Sequence, residues 1–434
     1  MAGLVRVSSR RVAYVALAVA VVVSLAELVA PAWDAEAFDL SALAVGGEVV
    51  RETGFEHLYE HDPSDFNVAA SEAYIRAARA VGFVGEPTPF VYAPVIAFAA
   101  RPLTFVPYRW AARMWCIASV VFVVLGLVLG ANHFAPGFSR KPWALVLLSL
   151  ALVAFEPIRY ALWLGQTTPF VFFCVMVSFA IAARRPRLAG VALAIAAFVK
   201  MTPVLFVVPW LLQKRNRACA AFVSAFAAFA LASVAIAGIA PNVQFARRLF
   251  DIADETLVSF NNLGLPALLE RACRPAPDLM TWKVVHLPDG TRVVVLIATV
   301  AMALVAWLGL RGVDDAAREP LAQAVATAVM LLAPSISWTH YWLFFVPPLV
   351  GCTWMVYRAG HRAVGVGISV LALALCSRPF VIDHIDHHRS AVTVIVGPTL
   401  AAGLLYVLAF TAARLLATAS RSVRGPAQQT GALT

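Results

Sequence analysis

Long apolar runs recur along the whole chain and constrain its fold more than any other feature. A membrane-spanning helix needs about 20 mostly apolar residues, and backbone in lipid must satisfy its hydrogen bonds internally. Hydrophobic residues make up 61% of the chain and charged residues 13%, whereas soluble domains carry about 25% charged residues. This composition excludes a soluble enzyme, a disordered protein and a secreted disulfide scaffold. The runs lie near 12–32, 89–106, 110–131, 143–156, 168–183, 188–212, 218–240, 292–311, 320–335, 341–357, 363–378 and 391–413.

The basic residues predict which ends of the runs face the cytoplasm. The first run follows Arg6, Arg10 and Arg11, so we interpret it as an uncleaved first span with a cytoplasmic N-terminus. We therefore use the positive residues behind the net charge of +10 to assign the cytoplasmic side of the membrane. Nucleic acid is not a predicted partner.

Two runs need special treatment for the positive-inside rule to hold. Run 89–106 contains three prolines and is predicted to be a re-entrant or juxtamembrane helix that does not cross. Run 188–212 is interrupted by Lys200 and Pro203 and is predicted to be a hairpin of two short helices. The result is 12 crossings with both termini in the cytoplasm. The cytoplasmic loops and tails then contain 18 Lys and Arg residues and three acidic residues.

The predicted fold class is therefore an all-α polytopic membrane protein with one domain over 1–420. Two long extracytoplasmic loops are predicted at 33–109 and 241–291, and the stretch 64–83 is predicted to form an amphipathic helix lying on the membrane. The tail 421–434 is interpreted as disordered and cytoplasmic. Five of the six cysteines lie in or beside apolar runs, so no disulfide framework is visible.

Ionisable groups at the outer ends of the spans are the candidates for chemistry. Asp39 follows the first span and is either a solvated loop acid or a base for an acceptor hydroxyl, with Asp65 as a competing acid. Lys200 either extends to the interface or neutralises a lipid phosphate.

Three further segments carry polar groups on the same predicted side. Glu156 and Arg159 are spaced to pair with each other, and alternatively Arg159 binds a phosphate while Gln166 contacts a sugar hydroxyl. Asn261 either forms a turn or hydrogen-bonds a sugar.

The tryptophans around residue 338 fit an interfacial belt, as does Tyr92. That belt does not explain His340 beside Ser337, and this pair is a candidate contact for a phosphate or sugar. The cluster 383–388 (DHIDHH) has the spacing of metal ligands or belongs to a solvated loop. Motifs for nucleotide-driven transport, dinucleotide redox chemistry and serine hydrolysis are absent from the sequence.

Taken in order, these segments resemble glycosyltransferase family 87 of the GT-C superfamily. An acid after the first span (Asp39) is followed by Gly54 and Leu58-Tyr59, which demotes Asp65. The later segments PFVYAP, FEPIRYALWLGQTTPF, AAFVKMTP, SFNNLGLPALL and APSISWTHYW resemble the family's motifs, covering about 35–345 together. Thr168 stands where the family has Asn, and Tyr341 replaces a second His.

The resemblance implies a GT-C-like bundle that transfers a sugar, with inversion, from a polyprenyl-phosphate donor to a glycolipid or glycan acceptor at the outer face of the cytoplasmic membrane. Mannose is the first candidate sugar. Asp39 is then expected to be the general base, with His340, Lys200 and Arg159 stabilising the leaving phosphate. Gln166, Tyr92, Asn261, Glu156 and Ser337 are expected sugar or acceptor contacts.

No cofactor is expected, although a divalent metal stays open. A phosphomonoester leaving group beside Lys and His needs a metal less than a pyrophosphate would. The alternative function is a secondary transporter or a lipid-linked sugar flippase, which often contains inverted repeats with broken helices in both halves. Here both broken runs fall in the first half of the chain.

Overall fold

The structure, a computed structural model, describes residues 2–60, 68–69, 71–272, 281–282, 284–381 and 391–423. The described part is mostly helical, as the apolar runs predict. The first half contains α1 to α10, which span Ala2–Trp33, Leu40–Thr53, Glu72–Val81, Pro94–Ala100, Tyr108–Phe134, Pro142–Val153, Glu156–Trp163, Thr168–Ile181, Pro186–Val199 and Val207–Leu212.

The second half contains α11 to α19 and two short strands. The helices span Asn216–Ala237, Ile239–Ala253, Leu265–Arg271, Asp289–Leu310, Asp315–Leu332, Val346–Arg358, Arg362–Leu375, Arg378–Val381 and Ala391–Val423. Strands β1 (Glu255–Leu257) and β2 (Val284–His286) pair antiparallel, with Thr256 opposite Val285. Segments of 3₁₀-helix occupy Arg101–Phe105, Phe138–Arg140, Thr202–Phe206 and Thr339–Phe345.

Within the described residues, five helical stretches are long and apolar enough to cross a membrane. They are Arg11–Trp33, Tyr108–Phe134, Asn216–Ala237, Asp289–Leu310 and Gly397–Ala419. Much of their apolar surface stays exposed, for example at Leu231 and Leu296, which fits contact with lipid chains. The chain is therefore a multi-pass membrane protein.

The predicted hairpin at 188–212 is confirmed. Helix α9 ends at Val199, Lys200 adopts an extended conformation, and the chain returns through a 3₁₀ turn and α10. A proline and a charged side chain at the break explain the interruption, since neither suits the interior of an apolar helix.

The two segments predicted as long loops contain secondary structure. Segment 33–109 contains α2, α3 and α4, and segment 241–291 contains most of α12, α13 and the two-stranded sheet, which is a small addition to a mostly helical chain. The β-branched residues of β1 and β2 favour this pairing.

Residues 64–67 and 70 of the predicted surface helix over 64–83 lie outside the described residues, and the helix in the described part is shorter than predicted. Helix α3 begins only at Glu72, where Ser71 caps it by accepting a hydrogen bond from the backbone N–H of Tyr74. Its apolar face packs with residues of α2 in a separate hydrophobic cluster, and does not lie free on the surface. A neighbouring helix face buries the same apolar side chains that would otherwise enter the membrane surface.

A close backbone approach joins the start of α2 to the end of α7. Gly165 has φ of +67°, and a Cβ atom there would lie 2.9 Å from the Cβ atoms of both Ala37 and Leu40. The backbone N–H of Asp39 donates to the carbonyl of Leu164 at 2.9 Å across this contact. Glycine is therefore required both by its backbone angle and by the space available.

We expect Gly165→Ala to lower the free energy of unfolding by about 2–4 kcal/mol, since overpacking adds to the strain of a positive φ. Gly137→Ala is the matched control because Gly137 has φ of +87° but open space around it. That control isolates the backbone strain and should cost about 1–2 kcal/mol. Equal losses of unfolding midpoint in detergent for the two variants would show that the contact at Gly165 is unimportant.

Candidate active site

Asp39 lies at the N-terminal end of α2, where the chain turns sharply. Ala37 adopts a φ of +48°, and Asp39 occupies the N-cap position without capping the helix through its side chain. Residues other than glycine seldom adopt such a φ, and strained residues of this kind cluster at functional sites. The carboxylate of Asp39 is thereby left to interact with residues outside its own helix.

Gln166 connects Asp39 to Lys200. Its Nε2 donates to Asp39 Oδ2, and its Oε1 accepts from Lys200 Nζ at 2.9 Å. An ammonium group can only donate and a carboxylate can only accept, so the two neighbours fix the orientation of the amide. Gln166 is itself buried and held by its backbone N–H, which donates to the carbonyl of Ala161 at 3.0 Å.

Lys200 lies at the break between α9 and the following 3₁₀ turn. Its Nζ contacts Thr168 Oγ1 at 3.0 Å and His340 Nε2 at 3.2 Å, and lies 4.6 Å from the ring centre of Tyr341. The three donors of the ammonium group therefore match three acceptors: Gln166, Thr168 and His340. Because His340 accepts through Nε2, its neutral ring carries the proton on Nδ1.

Asp39, Lys200 and His340 lie outside the five candidate spans. Burial brings the pKa values of Asp39 and Lys200 closer together. Burial raises the pKa of Asp39 to about 6, opposed by the hydrogen bond from Gln166 and the charge of Lys200. Burial lowers the pKa of Lys200 to about 7, opposed by the charge of Asp39. Burial and the Lys200 charge lower the pKa of His340, which keeps the imidazole neutral.

A cavity of about 1110 Å³ opens beside this network. Eight of the nine residues predicted from the sequence line it: Asp39, Tyr92, Glu156, Arg159, Gln166, Lys200, Asn261 and His340. Its size matches the sites that hold substantial organic ligands. The structure thus brings together residues separated by up to about 300 positions in the chain.

The structure places Ser337 elsewhere. It is fully buried and is not among the cavity-lining residues, and its backbone N–H donates to Asn262 Oδ1 at 2.7 Å. Asn262 binds the backbone on both sides of this contact and holds the 259–263 turn against the segment near Trp338. Ser337 does not line the cavity because the extended chain turns its neighbours Ile336 and Trp338 toward it, and its contact with the sugar stays a prediction.

Glu156 and Arg159 do pair, with Arg159 Nε 3.4 Å from Glu156 Oε2, and both still line the cavity. Asn261 donates to the hydroxyl of Tyr160 at 3.2 Å, and the hydroxyl of Tyr92 lies 3.3 Å from Thr167 Oγ1. The two readings of Arg159 are therefore compatible, since the ion pair leaves its guanidinium at the cavity wall.

Sequence reasoning missed several residues of the site. The sequence marks Thr168 only as a departure from a family motif, yet its hydroxyl contacts Lys200. Tyr160, Trp282 and Arg378 also line the cavity and belong to no pattern that the sequence makes visible. An unexplained Thr beside a predicted binding motif was the only available signal.

Two predicted sites lie outside the described residues, namely Asp65 and the 383–388 cluster. Within the residues that the structure describes, no group of three or more His, Cys, Asp or Glu is arranged to hold a metal ion.

A family model and individual relatives of this chain both point to one family of glycosyltransferases. The model described as glycosyltransferase family 87 matches residues 90–337, more than half of the chain. A polyprenol-phosphate-mannose-dependent alpha-(1-2)-phosphatidylinositol mannoside mannosyltransferase of Mycolicibacterium smegmatis is 25% identical over 302 residues, covering 63% of this chain. A corresponding pentamannoside mannosyltransferase of Mycobacterium tuberculosis is 27% identical over 295 residues, covering 66% of this chain.

The matched region spans 64% of the length of each of these two relatives. No solved structure matches the chain. The family match covers the Gln166, Lys200 and Asn261 segments and ends at Ser337, while His340 lies three residues after its end and Asp39 lies 51 residues before its start, and both line the same cavity. The chain belongs to glycosyltransferase family 87.

Proposed function

We propose that this protein is a membrane glycosyltransferase that moves a mannose-like sugar from a polyprenyl-phosphate donor to a glycolipid or glycan acceptor. The observation that carries the proposal is the Asp39–Gln166–Lys200–His340 network on the wall of one large cavity in a family 87 chain. Two relatives are named for this donor and for phosphatidylinositol mannoside acceptors, which supports the same substrate classes here.

The proposed reaction is a single inverting displacement. The acceptor oxygen bonds to the anomeric carbon while the bond from that carbon to the phosphate oxygen breaks. The acceptor proton passes to Asp39, and the electron pair leaves with the polyprenyl phosphate. A base with a pKa near 6 suits this role, because it is ionised at neutral pH yet basic enough to take the proton.

The leaving phosphate gains negative charge as the bond breaks. Lys200 supplies a positive charge beside Asp39, and Nδ1 of His340 has no hydrogen-bond partner among the described residues, which leaves its N–H unsatisfied. Arg159 adds a second cation at the cavity wall. Fixed donors of this kind stabilise developing charge because they need no reorganisation during the reaction.

The competing proposal, a transporter or flippase, receives less support. A transporter needs a path through the protein, whereas the titratable network occupies one cavity at one end of the bundle. The α8–α9 hairpin starts and ends there, with Thr168 and Lys200 in contact. Each helix of this hairpin has 14 residues and extends about 21 Å away from the site.

We expect Asp39→Asn to lower the transfer rate about 10²–10⁴-fold while the unfolding midpoint and donor binding stay close to the wild type. The measurement is release of polyprenyl phosphate from radiolabelled polyprenyl-phosphate mannose by protein in nanodiscs with a glycolipid acceptor. Asp65→Asn is the matched control and should remain active. An inactive Asp65 variant with an active Asp39 variant would move the base to Asp65, and a wild type that consumes no donor would favour the transporter.

The pH dependence of kcat/KM should be bell-shaped, with its maximum between about 6 and 7. Protonation of Asp39 removes the base as pH falls below about 6, and deprotonation of Lys200 removes the positive charge as pH rises above about 7. Lys200→Arg keeps its charge at all these pH values, so its alkaline limb should move upward while the acid limb remains. An unchanged alkaline limb in that variant would exclude Lys200 as its source.

For topology, we propose the 12-crossing arrangement with cytoplasmic termini and the cavity facing outward. It is supported by the basic residues at the far ends of the hairpin and of the spans. Arg184, Arg185 and Arg187 lie at the turn between α8 and α9, about one helix length from Lys200.

We expect an impermeant maleimide to label Val84→Cys in intact cells, because Val84 is 96% exposed and lies in segment 33–109, which this topology places outside the cell. Arg185→Cys should react only after the membrane is permeabilised. Labelling of Arg185→Cys in intact cells would overturn the proposed topology.

A further inference from the structure

A second cavity, of about 730 Å³, lies at the end of the bundle opposite the candidate active site. It is lined by the turn between α8 and α9, the end of α10 and the first turns of α11 and α15. Helix α8 leads from Thr168 to this cavity over about 21 Å, and α15 leads back to the outer cavity over about 27 Å. The two cavities are therefore separate sites.

The second cavity is strongly cationic. Lys214, Arg215, Arg217 and Arg318 line it, against a single lining acid, Asp315. Arg318 pairs with Asp315 at 2.7 Å, and Arg215 pairs with Glu319 behind the wall. Lys214 and Arg217 form no ion pair among the described residues. The cavity thus keeps a net positive charge after its internal pairs are counted.

Arg215 is held in place by a chain of buried polar groups. Its partner Glu319 accepts from Gln323 at 3.4 Å, and Gln323 in turn lies 2.6 Å from Nε2 of His133 on α5. A surface arginine whose only function is to mark the cytoplasmic side would need no such support. The arrangement resembles the second layer of contacts that orients a binding residue.

Two buried N–H groups on the lining residues have no hydrogen-bond partner within the described part of the chain, Nε of Arg215 and Nε2 of Gln213. Such groups are costly to bury and are usually satisfied. Unsatisfied donors on cavity-lining residues are the kind of group with which an oxygen-rich anion pairs.

Lys214 adds an independent observation. It has φ of +56°, and only Ala37 shares this property among the non-glycine residues that the structure describes. Ala37 lies on the wall of the outer cavity and Lys214 on the wall of the second. Backbone strain of this kind costs about 1–3 kcal/mol and persists where the surrounding structure enforces it.

From these observations we propose that the second cavity binds a phosphate group, carried either by an anionic lipid headgroup or by a soluble phosphate. Guanidinium and ammonium groups with convergent N–H donors are the usual partners of phosphate oxygens. This site is independent of the proposed glycosyl transfer, because none of its residues lines the outer cavity.

The competing explanation is a diffuse positive charge that only sets the topology. Arg140 and Lys141 provide the matched control, since they are exposed residues at the end of α5 remote from Gln166 and do not line the cavity. The double variants Lys214→Gln with Arg217→Gln and Arg140→Gln with Lys141→Gln remove the same charge from the same end of the bundle. Arg215 is left intact because its loss would strand the buried carboxylate of Glu319.

The test is titration of the full-length protein in neutral detergent at about 150 mM salt with three probes: inorganic phosphate, dioctanoyl phosphatidylglycerol and dioctanoylglycerol as the uncharged control. We expect saturable binding of a phosphate-bearing probe that weakens at least about tenfold in the Lys214/Arg217 variant and stays within about twofold of wild type in the Arg140/Lys141 variant. Binding of inorganic phosphate would identify a soluble ligand, and binding of the phospholipid alone would identify a headgroup.

A second variant keeps the total charge unchanged. Gln213→Leu removes one buried donor, and we expect about fivefold weaker phosphate binding. A diffuse field predicts no effect of this substitution. Equal losses in both double variants, unchanged binding in Gln213→Leu, or no saturable binding of either phosphate-bearing probe would each overturn the proposal.

Discussion

The buried ammonium group of Lys200 determines how the outer end of the bundle is assembled. A charge removed from water costs several kcal/mol unless partners replace the lost hydration. Here the partners come from distant parts of the chain: Gln166 and Thr168 from the α7–α8 junction and His340 from the 3₁₀ segment after α15. Because Lys200 must be satisfied, these segments cannot separate without leaving a buried charge unpaired, and the wall of the cavity is fixed by the same requirement.

A second requirement positions Asp39 against this wall. The residues after α1 form their own hydrophobic cluster, in which Leu40, Tyr74 and Phe90 are fully buried. The hydroxyl of Tyr59 donates to the carbonyl of Tyr92 at 2.6 Å. This hydrogen bond connects the cluster to the cavity-lining segment around Tyr92. The carboxylate is thus presented by a folded unit with its own buried core, and Gly165 allows that unit to approach the α7–α8 junction.

The sequence predicted the parts of this arrangement that follow from hydropathy and residue chemistry. The break at Lys200 was visible because a lysine and a proline interrupt an apolar run, and eight of the nine predicted site residues meet in one cavity. Ser337 lies outside the cavity lining because alternation along an extended segment decides which side chains face the cavity, and that register depends on Asn262, far away in sequence. The packing of α3 on α2 could not be predicted either, because an amphipathic helix has the same pattern whether it lies on lipid or on protein.

The two cavities differ in charge in a way that suits different tasks. The outer cavity is lined by four acidic residues, Asp34, Glu36, Asp39 and Glu156, and three basic ones, Arg159, Lys200 and Arg378, so it is close to electrically balanced. A site that releases a doubly charged phosphate after reaction gains little from a larger positive charge, since such a charge would bind the product as tightly as it stabilises the transition state. A site that only holds a phosphate has no such restriction, and the excess of cations around Lys214 and Arg217 is what static binding of an anion requires.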